Sequence, residues 1–243
     1  FLFLIVIFHF SFFIYHLDKA EASALSLSLD PSIIKIHALP PSMATSTLSI
    51  QNKSDDLVQL QIQIKPFRAK FENGELEYSP AQSSFLTQNI QILDNGIPVE
   101  GTALGPRQEK NLTLNINVPQ DTSVADYYFS IVFLSQTTAS PTSTTTSNQL
   151  GIASNVLLSV GAKEIPDGVI EEFSSGLFYE SGPVPFTLRI KNEGKHFIEP
   201  KGEILMKNMF DQSIGKLDLV NVNILSDSIR AIPNAIYIQE LSD

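Results

Sequence analysis

Apolar and polar residues alternate along most of the chain, the period of a strand with one face buried and the other wet. The pattern is sharpest in Thr47-Leu48-Ser49-Ile50-Gln51-Asn52 and recurs in Thr187-Leu188-Arg189-Ile190-Lys191-Asn192. Both read T-L-x-I-x-N, and both stop at a polar turn, Lys53-Ser54-Asp55-Asp56 in the first and Glu193-Gly194-Lys195 in the second. A second strand-like run follows each, over residues 57–64 and 198–206. The pattern therefore predicts one hairpin used twice, and with it two β-sandwiches of similar plan.

Other runs fit the same scheme. Residues 32–36 read as a first strand, broken by Pro40-Pro41, and residues 111–118 as a cleanly alternating one. Residues 126–133, rich in aromatic and β-branched side chains, suit a central strand. Residues 152–160 supply the strand that closes the first sandwich. Asn73-Gly74 and Asn95-Gly96 signal tight type I′ turns, in which both central residues need φ > 0. No stretch shows a helical period. The Ser/Thr-rich residues 135–149 cannot build a core and read as a long loop inside the first domain.

These runs give an all-β fold of two tandem immunoglobulin-like β-sandwiches: residues 25–161, a linker over 162–168 around Ile165-Pro166-Asp167-Gly168, and residues 169–243. The second contains strand-like runs at 169–173, 212–219 and 222–225 besides the repeated hairpin. It falls short of the roughly 100 residues of a full sandwich, so it is expected to be incomplete and to leave an unpaired edge.

Residues 1–15 are almost wholly apolar, and Ala20-Glu21-Ala22-Ser23-Ala24 follows shortly after. An apolar run before A-x-A describes a secretory signal peptide cleaved after Ala22 or Ala24. A retained membrane anchor over residues 1–24 is the alternative. The chain has no cysteine, so disulfides and thiolate sites are excluded. Its net charge is −10 with no Lys/Arg cluster, which argues against a nucleic-acid surface.

Candidate chemistry is sparse. His9, His16, His37 and His196 stand apart, without the spacing of a metal site, and His196 reads as a turn or surface histidine. No Gly-x-Ser-x-Gly elbow, phosphate loop or calcium loop occurs. Asp55-Asp56, Glu171-Glu172 and the group Glu72, Glu75 and Glu77 could pair as catalytic carboxylates, but exposed turn acids are the commoner meaning. Asn52-Lys53-Ser54 and Asn111-Leu112-Thr113 fit the N-glycosylation tripeptide. The expectation is a protein that is not an enzyme and takes no cofactor or metal.

The first domain resembles the peptidoglycan-binding domain of the WxL-protein family. The resemblance is carried by Leu29-Asp30-Pro31, residues 46–66 with Gln51-Asn52, Ala125-Asp126-Tyr127-Tyr128-Phe129-Ser130-Ile131, and residues 152–161. The second is similar to that family's host-binding domain through residues 186–196, Pro200-Lys201-Gly202-Glu203-Ile204, and residues 223–230. It departs from the family at Leu225-Ser226-Asp227-Ser228-Ile229-Arg230, where the family tends to carry Leu-Pro-x-Ser-x-Arg. The resemblance implies an exported, non-catalytic cell-surface protein, binding peptidoglycan, another wall polysaccharide or a surface protein. The alternative is a periplasmic module of the pilus-chaperone type, donating an edge strand over residues 156–160.

Overall fold

The structure is a computed structural model that describes residues 25–79, 83–136, 150–162, 164–176, 178–179 and 183–233. The apolar leader, most of the Ser/Thr-rich stretch and residues 234–243 lie outside the described residues. The first sandwich packs two sheets face to face. One is five-stranded, in the order β1 (Leu27–Asp30), β3 (Ser42–Asn52), β9 (Glu109–Val118), β6 (Ile90–Asp94) and β7 (Ile97–Pro98). The other runs β2 (Ile33–Ala38), β11 (Gly151–Val160), β10 (Ala125–Ser135), β4 (Val58–Ala69) and β5 (Leu76–Tyr78), with β8 (Gly101–Leu104) also on β4. Between β1 and β2 the chain changes sheets at the cis Asp30–Pro31 bond.

The alternation read in the sequence builds the core directly. Leu48 and Ile50 of β3, Leu112, Leu114, Ile116 and Val118 of β9, and Phe129, Ile131 and Phe133 of β10 are all completely buried between the sheets. Strand β10 is central, paired with β4 on one side and β11 on the other. Its partner β11 buries Val156, Leu158 and Val160 in the sandwich and turns Leu157 to the opposite face. The Ser/Thr-rich stretch thus connects two strands that pair with each other.

The predicted hairpins are not hairpins. Strand β3 lies in one sheet and β4 in the other, so the chain arches between sheets at Asn52. The same arch follows β13 (Phe186–Asn192), because β14 (Glu203–Lys207) belongs to a different sheet. Alternation reports which face of a strand is buried, and an inter-sheet arch and a hairpin bury the same face. What separates them is the asparagine. Its Nδ2 donates to the carbonyls of Asp56 (2.7 Å), Leu104 (3.3 Å) and Gly105 (2.8 Å), while its Oδ1 accepts from the Ser54 N–H (2.9 Å). Asn192 repeats this with the carbonyls of His196 (2.8 Å), Ile224 (3.0 Å) and Leu225 (3.1 Å) and the Gly194 N–H (2.9 Å). Each side chain stands in for the ladder partners that the arching backbone has lost.

Two local expectations also change. Asn95 (φ +50°) and Gly96 (φ +83°) form the type I′ turn, whereas at Asn73-Gly74 only the glycine is left-handed (φ +88°). One helix is present, α1 (Ser84–Asn89), which buries Leu86 against the first core. It has fewer than two turns, too few for a 3.6-residue period to show.

In the second sandwich β12 (Gly168–Ser175), β13 and β16 (Ile229–Ala231) form one sheet, and β14 pairs with β15 (Ser213–Asp218) in the other. Its core gathers Phe186, Leu188, Ile190, Ile198, Ile224 and Ile232. The run 222–225 forms no strand; Ile224 makes only an isolated bridge to Ile198. Among the described residues this sandwich is incomplete, and β12 is an open edge with Ile170 62% and Phe173 56% exposed.

Candidate binding site at the domain junction

The outer face of the β2–β11–β10 sheet meets the second sandwich through residues that alternation placed outside the first core. Asp126, on β10, points away from the sandwich and has a side chain with no solvent exposure. Its Oδ1 lies 2.7 Å from Nδ1 of His196. Its Oδ2 accepts from the Phe197 backbone N–H and from the Tyr128 hydroxyl, each at 2.5 Å. The Tyr128 oxygen in turn accepts from the Ser226 N–H at 3.0 Å. Burial, reinforced by the hydrogen bond to Asp126, raises the Tyr128 pKa well above the usual phenol value, so the hydroxyl stays a donor. A buried carboxylate is tolerable only when its lone pairs are filled, and here donors from both domains fill them. Phe67, Leu157 and Leu225 pack beside this polar hub, flanked by Tyr128 and Phe197.

A second clasp lies on the turn between β4 and β5. Arg189 of β13 grips Glu72 with two hydrogen bonds, Nε to Oε2 at 2.8 Å and Nη2 to Oε1 at 2.5 Å. Glu171 and Glu172 of β12 lie 3.1 and 3.5 Å from the same guanidinium. Hydrogen bonding from Arg189 lowers the Glu72 pKa below its ordinary value. The Ala231 N–H also donates to the Glu72 carbonyl at 2.9 Å. Lys35 of β2 pairs with Glu199 across the junction.

Cavities open on both sides of these contacts. The larger, about 610 Å³, is a cleft lined by Lys35, His37 and Ser159 of the first sandwich and by Lys195, His196 and Lys201 of the second. The smaller, about 230 Å³, is an elbow bounded by Ile33, Asn155, Leu157 and Gly74 on one side and by Asn223 and Arg230 on the other.

The histidines that stand apart in the sequence meet here, with the rings of His37 and His196 in an edge-to-face arrangement at 6.5 Å between centroids. His196 is thus an interdomain group, half-buried, rather than a surface turn. Basic residues with no cluster in the sequence converge on the cleft because strands far apart in the chain are adjacent in space. Of the candidate carboxylates, Glu72, Glu171 and Glu172 converge on the Arg189 guanidinium, and the others stand apart. Asp55 pairs with Arg107, whose hydrogen bond and charge lower the Asp55 pKa. Glu75 pairs with Lys70 and Glu77 with Arg68, each in an exposed turn or strand. Asn52 is buried with its amide fully engaged and is closed to glycosylation, whereas Asn111 lies exposed on β9.

The expected donor edge is also displaced. Residues 155–160 of β11 are paired on both sides, with β10 and, in parallel, with β2. Their outer edge is therefore spent. Residues 151–154 pair with β10 alone, and among the described residues no strand pairs with their other edge, although the Ser154 hydroxyl donates to the Pro31 carbonyl at 2.7 Å. Asn155 donates outward to the Ser32 carbonyl at 2.9 Å, so the outward N–H two residues earlier is that of Ala153. No sequence signal marks this, because both halves of β11 alternate alike.

No protein-family model matches the chain, and no curated protein is similar to it. Among solved structures, it is similar to the class 5 fimbriae chaperone CfaA at 13% identity and a TM-score of 0.46, over 84% of each chain. It is also similar to the CsuC–CsuE chaperone–tip adhesion subunit pre-assembly complex of Acinetobacter baumannii (14%, 0.44, 89% of this chain and 90% of that one). The E. coli chaperone DraB is a third (12%, 0.43, 86% of each). Identities and scores at this level assign no function, and the reading that follows rests on the geometry of the junction.

Proposed function

We propose that the chain is a non-catalytic, exported binding module that holds an extended protein segment by strand addition. One observation carries this: residues 151–154 of β11 present an unpaired backbone edge that stops abruptly where β2 takes over at Ile33. An exposed row of N–H and C=O groups is a template for another strand, and an added strand gains main-chain hydrogen bonds without needing a matched sequence. The edge lies at the rim of the domain junction, so a segment laid along it would run into the elbow. The apolar run at residues 1–15 followed by A-x-A supports an extracytoplasmic setting.

The test uses amide hydrogen exchange on the full chain with the peptide acetyl-Lys-Val-Ser-Val-Ser-Val-Lys-amide. The peptide is expected to protect the Ala153 amide, and Ala153→Pro, which removes that donor from the edge, to abolish peptide binding read from ligand-observed signals while the fold survives. Binding to insoluble peptidoglycan is measured in parallel, with free polysaccharide as competitor. Saturable wall binding that Ala153→Pro leaves unchanged, with no protection at Ala153, would replace strand addition by the wall-binding reading.

A further inference from the structure

The turn between β14 and β15 exposes two large apolar side chains, Met209 at 83% and Phe210 at 75%. Its backbone is nonetheless tightly organised. The Asn208 N–H donates to the Gln212 carbonyl at 2.9 Å, and the Asn208 Oδ1 accepts from the N–H groups of Phe210 (2.9 Å) and Gln212 (3.0 Å). Asp211 takes a left-handed conformation (φ +62°), and its carboxylate pairs with Lys207 at 2.7 Å. Four polar residues therefore hold two apolar side chains out in water, and neither side chain joins the second core. Exposed apolar groups presented in this way mark a contact surface.

The same sandwich has an apolar cleft of about 500 Å³ on its open side, between β12 and β14. Ile170 and Phe173 of β12, Leu188 and Ile190 of β13, Leu205 of β14 and Leu219 line it. Packed sheets stand about 10 Å apart, so the mouth admits a ring and a thioether. A helix, about 10–12 Å across with its side chains, is too thick to enter. Of the charged residues at the rim, Glu199 is paired with Lys35 and Glu203 with Lys216, whereas Lys201 makes no ion pair among the described residues.

We infer that the hairpin tip is a finger that seats in this cleft on a second copy of the chain, with Phe210 and Met209 entering between the sheets and Asp211 meeting Lys201. The finger cannot fill the cleft of its own domain. Glu203 to Asn208 spans roughly 16 Å of extended strand. That strand is paired with β15 from Glu203 to Lys207, so the tip stands well beyond the cleft that the base of the same hairpin lines. A two-fold pairing of open β12 edges would also cover the cleft, but two features oppose it. A bulge between Ile170 and Glu172 breaks the ladder, and Glu171 and Glu172 lie at mid-strand, where two copies would set like charges against each other.

Finger and cleft are different surfaces, so the contact is heterologous and extends head to tail unless the rotation closes a ring. A pre-ordered turn loses little freedom on docking. Two side chains nevertheless bury far less than a stable interface needs, so the association is weak and grows with concentration. The inference stands apart from strand addition, which uses the first sandwich.

Sedimentation equilibrium of the full-length chain reads the association constant, at about 0.15 M salt to screen repulsion between copies that each carry a net charge of −10. The mean mass is expected to rise with protein concentration. Phe210→Asp removes the finger and Phe173→Asp blocks the cleft, and each alone is expected to lower the association constant about tenfold or more. An equimolar mixture of the two variants is expected to recover a dimer and nothing larger, because only one intact finger and one intact cleft remain between them. Phe210→Asp should melt with the parent, since its side chain is 75% exposed. Should Phe173→Asp melt early, Ile170→Asp, on the more exposed part of the cleft wall, takes its place. A parent that stays monomeric throughout would overturn the inference and leave the cleft to residues 234–243 or to another partner. Undiminished association of Phe210→Asp, or a mixture that associates no better than its parts, would overturn it as well. Ala153→Pro is expected to associate like the parent; if it dissociates instead, the contact runs through β11, and this inference falls while the free edge remains the binding surface.

Discussion

Replacing Asn52 with Ala tests what terminates both copies of the T-L-x-I-x-N pattern. Asn52 is completely buried, and its amide holds three carbonyls and one backbone N–H; of these the Gly105 carbonyl also accepts from the Gln108 N–H at 3.2 Å. Truncation takes the acceptor from the Ser54 N–H and the side-chain donor from the Asp56 carbonyl. Each buried unpaired backbone group costs about 1–3 kcal/mol. The contacts to Asp56 and Gly105 are only part-buried, so water recovers some of that cost, and the Leu104 contact at 3.3 Å is weak. The net expectation is a loss of about 3 kcal/mol, dominated by the Ser54 N–H and the Asp56 carbonyl. At about 3–4 °C per kcal/mol for a domain of this size, the first sandwich should melt roughly 10 °C lower. Asn52→Asp should be worse than Asn52→Ala, since a carboxylate cannot donate and would face three carbonyl oxygens. Urea denaturation followed by tyrosine fluorescence provides the free energies. A cost below about 1 kcal/mol for Asn52→Ala, or an Asp variant more stable than the Ala variant, would refute the argument. Asn192→Ala supplies an internal replicate, because its bonds match in kind and length.

Three further outcomes are expected. The Glu72 pKa is lowered in the folded state, so its contribution is complete above the ordinary carboxylate range and lost as pH falls through the folded value; the melting difference between parent and Glu72→Gln should therefore vanish on acidification, and a difference that persists unchanged in acid would contradict it. Leu158→Ala removes a fully buried side chain between the sheets and should cost about 2–5 kcal/mol by urea denaturation. Tyr128→Phe deprives the Ser226 N–H of its acceptor and Asp126 of a donor, and should cost about 1–2 kcal/mol; no measurable cost would show that water replaces the hydroxyl freely.

Alternation made the sandwich cores legible, because Leu48, Ile50, Leu112, Leu114 and Ile116 bury the face that the period assigns. It could not reveal which strands pair. Period two is blind to partners, so the arches at Asn52 and Asn192 look like hairpins until the asparagine's bonds are counted. The junction was illegible for a related reason. Asp126, His196, Arg189 and Glu72 are each ordinary polar residues on wet faces, and only contact between two sandwiches turns those faces inward. Asp126 and His196 are separated by 70 positions, and no local motif can encode such a pair.

How firmly the two sandwiches are held against each other yields a prediction for Asp126. Asp126→Ala would strip acceptors from the Phe197 N–H, the Tyr128 hydroxyl and the His196 ring. With the usual cost per unpaired group, the junction loses about 3 kcal/mol or more. The clasp at Glu72 and the backbone bond from Ala231 remain, but they lie at the more exposed end. If the closed arrangement then falls to a fraction of the population, the apparent Kd for any ligand touching both domains rises by the inverse of that fraction. The Ala231 N–H reaches the Glu72 carbonyl only in the closed arrangement, so its amide should exchange faster in Asp126→Ala although the mutated residue lies elsewhere in the junction. Peptide protection at Ala153 involves the first sandwich alone and should be unchanged. The discriminating pair of measurements is therefore Ala231 amide exchange and peptide protection at Ala153 on one variant. Loss of both would mean that Asp126 supports the first sandwich itself, and loss of neither that the Glu72 clasp suffices to hold the junction closed.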